Sequence, residues 1–377
     1  MNFALSEEQE MLQASANEFV KRESSLKRIR ELREDEIGFS RGIWEKMAEL
    51  GWQGITFPEE FGGLGEGMVE MIVVMEELGR GLMPEPMLSS VLMAGNALVC
   101  GGSKEQQEQW LPKISDGSAL MSLGYLERQS RYDPYDVETD AKKDGSGWVL
   151  SGEKMFVPDA GVSERIVVSA RSSGQRRSRE GVEMFLVDPK AKGVTLTPIP
   201  TMDWRKQFML KLDRVTVDES ERLSGKDGGE ALEAALDRAT VGLSAEMLGA
   251  MNEAFSITLE YMKTRKQFGA PIGSFQALKH RAADEYVQTE LSRSAVYYAA
   301  MALDENMPDA ARAVSTAKAR CNDAFHLIGN ESIQMHGGIG MTDEHDIGFF
   351  FKRGRVSKVI LGDSDFHRDR YARLKEY

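Results

Sequence analysis

The residues that could do chemistry in this chain are spaced in ways that exclude more than they suggest. The five histidines, His280, His326, His336, His345 and His367, show no HExxH pair and no other metal-ligand spacing, so a metal centre is not expected. No GxSxG elbow is present to present a nucleophilic serine. Gly147–Lys154 (GWVLSGEK) imitates a phosphate loop, but Glu153 stands where the lysine is needed and no hydroxyl follows Lys154, so it reads as a hairpin turn. The Gly337-Gly338-Ile339-Gly340 cluster does not follow a strand and is no dinucleotide fingerprint. Two loops remain, 264–276 (TRKQFGAPIGSFQ) and 334–340 (QMHGGIG). Each sets polar groups beside small residues at a helix end, where backbone N–H groups and an arginine could hold a pyrophosphate. Two glycine-rich helix connections with a surface arginine fit the same residues.

The elements that must position these loops read as helices, then strands, then helices. In the first segment, 1–117, Ser6 with Gln9 and Ser103 with Gln106 have capping-box spacing. Apolar residues recur at helical intervals around Leu12–Val20, Ile43–Leu50 and Met68–Gly79, and Pro58 with Gly62, Gly63 and Gly65 forms a turn. The second segment, 118–226, carries short branched runs at 149–152, 166–170, 184–187 and 194–196, the pattern of a small antiparallel sheet or barrel. The third, 227–377, returns to long apolar-faced helices at 232–265, 275–303 and 310–328, with 225–229 as a hinge. The fold class is α+β, a β insert between two helical blocks.

Composition narrows the partners. A net charge of −13 argues against nucleic acid and against an anionic membrane surface. No run of ~18 apolar residues could span a bilayer, and the start MNFALSEEQEML lacks a signal-peptide pattern. Cys100 and Cys321 stand far apart, as thiols in a reducing compartment do; a cytoplasmic location is expected. The 21 methionines read as packing.

In order along the chain, Gly51-Trp52 with Pro58-Glu59-Glu60-Phe61-Gly62-Gly63, then Gly152-Glu153-Lys154-Met155-Phe156, then Arg265-Lys266-Gln267-Phe268-Gly269 with Ile272 and Phe275-Gln276, and finally Gln334-Met335-His336-Gly337-Gly338-Ile339-Gly340 resemble the motifs of the acyl-CoA dehydrogenase family. The resemblance implies an N-terminal helical domain, a middle β-barrel domain and a C-terminal four-helix bundle. It implies FAD as cofactor, with contacts from Phe156, Arg265, Gln267, Phe268, Ile272, Gln276 and Met335, and with Gln334, Gly337 and Gly338 reaching the FAD of a neighbouring subunit, so that loops from different chains meet at one cofactor. A dimer or dimer of dimers follows. The implied reaction is α,β-dehydrogenation of an acyl-CoA thioester, with an electron-transfer flavoprotein as acceptor.

The chain departs from that pattern at the base. Leu361 occupies the position that the resemblance gives to a catalytic Glu, and leucine takes no proton. Asp237-Arg238 approximates the alternative Glu-Arg pair of the family, about two residues out of register. Glu246, among apolar and small neighbours, is the second candidate, because burial would raise its pKa as a carbon-acid base requires; a structural ion pair is the competing role. Asp363 is the third. Phe156-Val157-Pro158-Asp159 also differs from the family strand, since Pro158 lacks both hydroxyl and N–H. Gly79–Pro86 with Leu361-Gly362-Asp363 resembles the smaller subunits of heteromeric acyl-CoA dehydrogenases that take dicarboxylyl, steroid-side-chain or ring-bearing thioesters. Three functions are therefore expected in turn: a catalytic dehydrogenase, a non-catalytic partner of a paralogous subunit, and a flavin oxidase or monooxygenase on the same scaffold.

Overall fold

The computed structural model describes residues 4–377. In chain order its helices are α1 (Glu7–Glu23), α2 (Leu26–Leu32), α3 (Arg41–Glu49), α4 (Met68–Arg80), α5 (Asn96–Gly101), α6 (Lys104–Ser115), α7 (Gly228–Thr264), α8 (Gln276–Asp304), α9 (Ala310–His336), α10 (Ile347–Ser357) and α11 (Ser364–Leu374). Its strands are β1 (Met121–Gly124), β2 (Asp140–Asp144), β3 (Gly147–Pro158), β4 (Arg165–Arg171), β5 (Val182–Val187), β6 (Val194–Ile199), β7 (Gln207–Asp218) and the two-residue ribbon β8 (Lys266–Gln267) and β9 (Ala270–Pro271). The chain divides into two compact units: a helical unit of residues up to Leu32, Met68–Met83 and Thr240–Tyr377, and a sheet unit of Arg33–Gly67 and Pro84–Ala239.

Local chemistry sets the helix starts. Ser6 Oγ accepts the Gln9 amide at 3.2 Å while Gln9 Oε1 accepts the Ser6 amide at 3.0 Å, and Ser103 with Gln106 repeats the exchange at 3.3 and 2.9 Å. Each box satisfies two donors that a helix N-terminus leaves free. Within the helical unit, glycine lets α4 and α7 touch backbone to backbone. A Cβ at Gly249 would lie 1.7 Å from the Glu76 carbonyl oxygen, and one at Gly79 2.1 Å from that of Glu246. Beside this contact the buried Glu76 carboxylate accepts from Arg293 at 2.7 and 3.0 Å and from Asn252 at 3.1 Å.

In the sheet unit the strand order is β1-β4-β2-β3-β7-β6, with β5 paired to β4. The expected antiparallel sheet is in fact mixed, since β1 runs parallel to β4 from Met121↔Arg165 to Gly124↔Val168. The β2–β3 hairpin lies between them in sequence and supplies the long crossover that a parallel pair needs. The GWVLSGEK stretch is strand β3 itself; the turn precedes it, at the Asp144↔Gly147 pair. Leu150, Val157, Ile166, Val168, Phe185 and Leu210 form the core against this sheet. Residues Met87–Gly95 wind as a π-helix, entirely buried, which nothing in the sequence pattern announces.

Candidate functional site

The helical unit brings the two glycine-bearing loops together in one chain. Tyr261, in the last turn of α7, stacks on His336 at 4.4 Å between ring centroids, and His336 meets His345 at 4.5 Å. Burial lowers the His336 pKa, and the neighbouring His345 lowers it further against the Ser332 carbonyl. Because His336 Nδ1 lies 2.7 Å from that carbonyl, Nδ1 carries the proton in the neutral ring. Met262, Ile272, Ala282 and Met335 pack as one buried cluster beneath. A single chain thus sets the two loops side by side, because α7 and α9 end together. Gln334 and Met335 are not loop residues. Helix α9 continues through His336 and stops at Gly337, whose φ of 64° and ψ of −140° suit only glycine.

What the two loops leave open is as informative as what they bind. Phe268 sits at φ 52° with 93% of its surface exposed, and its ring meets the edge of Phe275 at 6.2 Å. Arg265, Gln267, Gln276 and Gln334 are exposed, and Arg265 has no carboxylate partner among the described residues. A Cβ added at Gly269, Gly337 or Gly338 would meet nothing within 4 Å. An unpaired guanidinium, an exposed apolar ring and bare backbone fit the pyrophosphate and rings of a dinucleotide such as FAD. Ile272 and Met335 differ: they are buried and hold the loops in place.

Phe156 belongs to the sheet unit. It lies at φ 53° in the register break of β3 between Lys154 and Val157, with its ring half exposed. Behind it Lys154 is fully buried and donates to Glu127 Oε1 at 2.6 Å and to Ser169 Oγ at 3.0 Å. Glu127 in turn accepts the amides of Glu138 and Thr139 at 2.8 and 3.0 Å. Burial alone would raise the Glu127 carboxyl, but Lys154, with hydrogen bonds from Thr139 and Gln129, brings it down to about 2. The pair fixes the segment from which Phe156 projects.

The carboxylate candidates are already engaged. Glu246 is buried on α7 and accepts from Arg353 of α10 at 2.9 Å, the structural ion pair weighed against a base. Asp363 caps α11, its Oδ1 accepting the Phe366 amide at 2.9 Å. Asp237 is half-buried on the part of α7 that belongs to the sheet unit, about two and a half turns before Glu246. Sequence reading missed Glu285 of α8, fully buried with both carboxyl oxygens lacking a hydrogen-bond partner among the described residues. Burial, then Glu331, pushes its pKa up to about 8, against Arg281. Its place in the polar run HRAADEYVQTE disguised it as a solvated residue. Among the described residues no group of three or more His, Cys, Asp or Glu could hold a metal ion, and no helix is long and apolar enough to cross a membrane.

Comparison with known proteins places this geometry. The N-terminal, middle and C-terminal domain models of acyl-CoA dehydrogenases match residues 6–118, 122–215 and 226–374. The chain belongs to the acyl-CoA dehydrogenase family, a class of flavin-dependent oxidoreductases. It is 30% identical to the acyl-CoA dehydrogenase IpdE2 of Mycolicibacterium smegmatis, over 95% of this chain and 96% of that protein. Its fold matches the ChsE4-ChsE5 complex from Mycobacterium tuberculosis with a TM-score of 0.91 and 28% identity, covering 100% of this chain and 99% of that one. It also matches the electron transferring flavoprotein structure of Acidaminococcus fermentans with a TM-score of 0.92 and 26% identity, over 100% and 99%.

Proposed function

We propose that the chain binds FAD through Arg265, Phe268 and the open end of α9, and serves the α,β-dehydrogenation of an acyl-CoA thioester. The observation that carries this reading is the pairing, on one surface, of an unpartnered guanidinium with bare glycine backbone and an exposed ring. FAD supplies the acceptor for the β-hydrogen as hydride. Arg265 neutralises phosphate charge, Gln334 and the Gly337–Gly338 backbone offer neutral donors, and Phe268 covers apolar ring surface. Removal of the α-proton requires a carboxylate held near the thioester, because that proton is weakly acidic. An electron-transfer flavoprotein is the proposed electron acceptor, and the cytoplasm the proposed location.

One observation favours a heteromeric form of this reading. Leu361 cannot accept a proton, Asp363 caps a helix and Glu246 is bound to Arg353, so the α-proton acceptor is assigned to a paralogous subunit. The likeness to the two-component ChsE4-ChsE5 complex supports it. The test is anaerobic titration of the purified protein with CoA thioesters, alone and with the product of an adjacent paralogous gene. Bleaching only of the mixture supports the heteromer, and bleaching of the chain alone returns the base to it. Oxygen-dependent turnover without an electron-transfer protein would replace both readings with an oxidase or monooxygenase.

A further inference from the structure

The groups that face a ligand at the open end of the helical unit are exposed and carry little packing of their own. Arg265 and Gln334 are exposed, Phe268 is 93% exposed, and a Cβ at Gly269, Gly337 or Gly338 would meet nothing within 4 Å. Their positions are therefore set from behind, where a column of three rings stands. Tyr261 stacks on His336 with 4.4 Å between centroids and 27° between planes, His336 meets His345 at 4.5 Å, and Tyr261 meets His345 edge-on at 6.1 Å.

The backbone ties this column to both ligand-facing segments. The Tyr261 carbonyl accepts the Arg265 amide at 2.8 Å, and the Arg265 carbonyl accepts the Ile272 amide at 2.8 Å. The start and the return of the 264–276 loop thus hang from the Tyr261 turn. His336 is the last residue of α9 and directly precedes Gly337. The turn Gly337–Met341 folds back on it so closely that a Cβ at Gly340 would lie 2.9 Å from His336 Cβ. The third ring is braced from outside. His345 Nδ1 accepts the Ile347 amide at 3.2 Å, and Asp343 and Asp346, which flank it, hold Arg30 of α2 at 3.1 and 2.7 Å.

Packing alone does not call for a histidine in the middle. His336 is buried, its Nδ1 donates to the Ser332 carbonyl, and its Nε2 has no hydrogen-bond partner among the described residues. A leucine would fill the space without leaving a buried nitrogen unbonded, which costs free energy. What leucine lacks is a flat face for two neighbouring rings. Rings at these separations attract beyond their burial, and their flatness fixes tilt as well as distance. Burial also lowers the His336 pKa, so the middle ring is uncharged at neutral pH.

We infer that the Tyr261–His336–His345 column is the frame that holds the 264–276 loop and the Gly337–Gly338 turn in a fixed relation for the flavin, with His336 as its positioning residue. This deepens the FAD-binding reading and rests on it. The buried His336 ring acts through the backbone that follows it and through the Tyr261 turn, not by touching the cofactor.

The test is equilibrium titration of FAD fluorescence with full-length apoprotein, which reports the affinity of the folded fraction, with melting temperatures recorded alongside. His336→Leu removes the ring and the Ser332 bond. His336→Phe keeps the ring and gives up the bond, and His336→Asn keeps a side-chain N–H donor and gives up the ring. His336→Leu and His336→Asn are expected to weaken FAD binding about fivefold, the worth of one aromatic contact, with His336→Phe within about twofold of wild type. Tyr261→Leu should match His336→Leu, and the double variant should bind no more weakly than the weaker single one, because one column is broken once. Wild-type affinity in His336→Leu, a His336→Phe as weak as His336→Leu, or additive losses in the double variant would overturn the proposal. A histidine that only stabilises the fold would lower the melting temperature and leave the affinity unchanged, which also overturns it. If His336→Leu does not fold, Tyr261→Leu against Tyr261→Phe carries the same comparison. If wild-type protein binds no FAD, the flavin reading fails by itself, and amide exchange over residues 266–270 and 337–340 decides on the column. Acceleration in His336→Leu that His336→Phe reverses supports it, and equal exchange in all three proteins overturns it.

Discussion

The two halves of helix α9 are built on opposite principles. At its C-terminal end, Gln334 and Gly337–Gly338 stand beside the Arg265 loop with polar groups exposed and space over the glycines. In its N-terminal half, Lys318 and Asn322 are buried and bonded to the turn that carries Leu361. The open end has the chemistry of a surface waiting for a ligand. The closed end has the chemistry of a frame, in which donors are consumed by backbone carbonyls and carboxylates by guanidinium groups or helix caps. The contrast teaches that an ionisable residue inside this fold is not by itself a catalytic candidate. What matters is whether its hydrogen-bonding capacity is already taken.

The largest effect should come from breaking the closed region. Glu246→Gln removes the carboxylate charge that the buried Arg353 guanidinium faces at 2.9 Å, which costs about 3–5 kcal/mol in denaturant unfolding. A Glu246→Leu/Arg353→Met pair should recover most of that loss. A Glu246→Gln protein of normal stability that binds FAD but no longer bleaches would instead make Glu246 the base.

Glu285 sharpens the comparison, because it is closed in yet unbonded. Its folded-state pKa of about 8 lies above the usual carboxylate value, so the folded protein binds the extra proton. Its contribution is a penalty absent below the unfolded pKa, growing as pH rises from there to about 8, and complete above. Glu285→Gln should therefore be more stable than wild type at pH 8.5, by about 2–4 kcal/mol, and nearly equal to it at pH 4. A difference that does not change with pH would remove the buried-acid assignment.

Changes at the open end should spare the fold and reduce the ligand. Arg265→Ala is expected to weaken FAD binding by about 2 kcal/mol, as loss of a charged hydrogen bond does, while apoprotein stability stays unchanged. Flavin occupancy equal to wild type at limiting FAD would count against the site. Gly337→Ala is the exception to that rule and the mildest change, destabilising by about 1 kcal/mol through strain at its φ of 64°, seen as a slightly lower melting temperature with and without FAD.

Short-range features were legible in the sequence. The capping boxes at Ser6 and Ser103 involve residues three apart, and the loop at 264–276 and the helix stop at Gly337-Gly338 announce themselves through their glycines. What pattern reading could not reach depends on pairing at a distance. Glu246 and Arg353 are 107 residues apart, and Lys318 is bound by carbonyls 39 and 44 residues further on, where any residue type has the same acceptor. The parallel β1–β4 pair depends on where the hairpin returns, and helix α9 outran its apolar pattern until Gly337 stopped it.

The most direct measurement of the central claim is FAD binding to wild-type and Arg265→Ala protein by equilibrium titration of flavin fluorescence, with the apoprotein melting temperature recorded alongside. The account predicts tight binding by the wild type, binding weakened at least about tenfold in the variant, and identical melting temperatures. Equal affinities in the two proteins would contradict it.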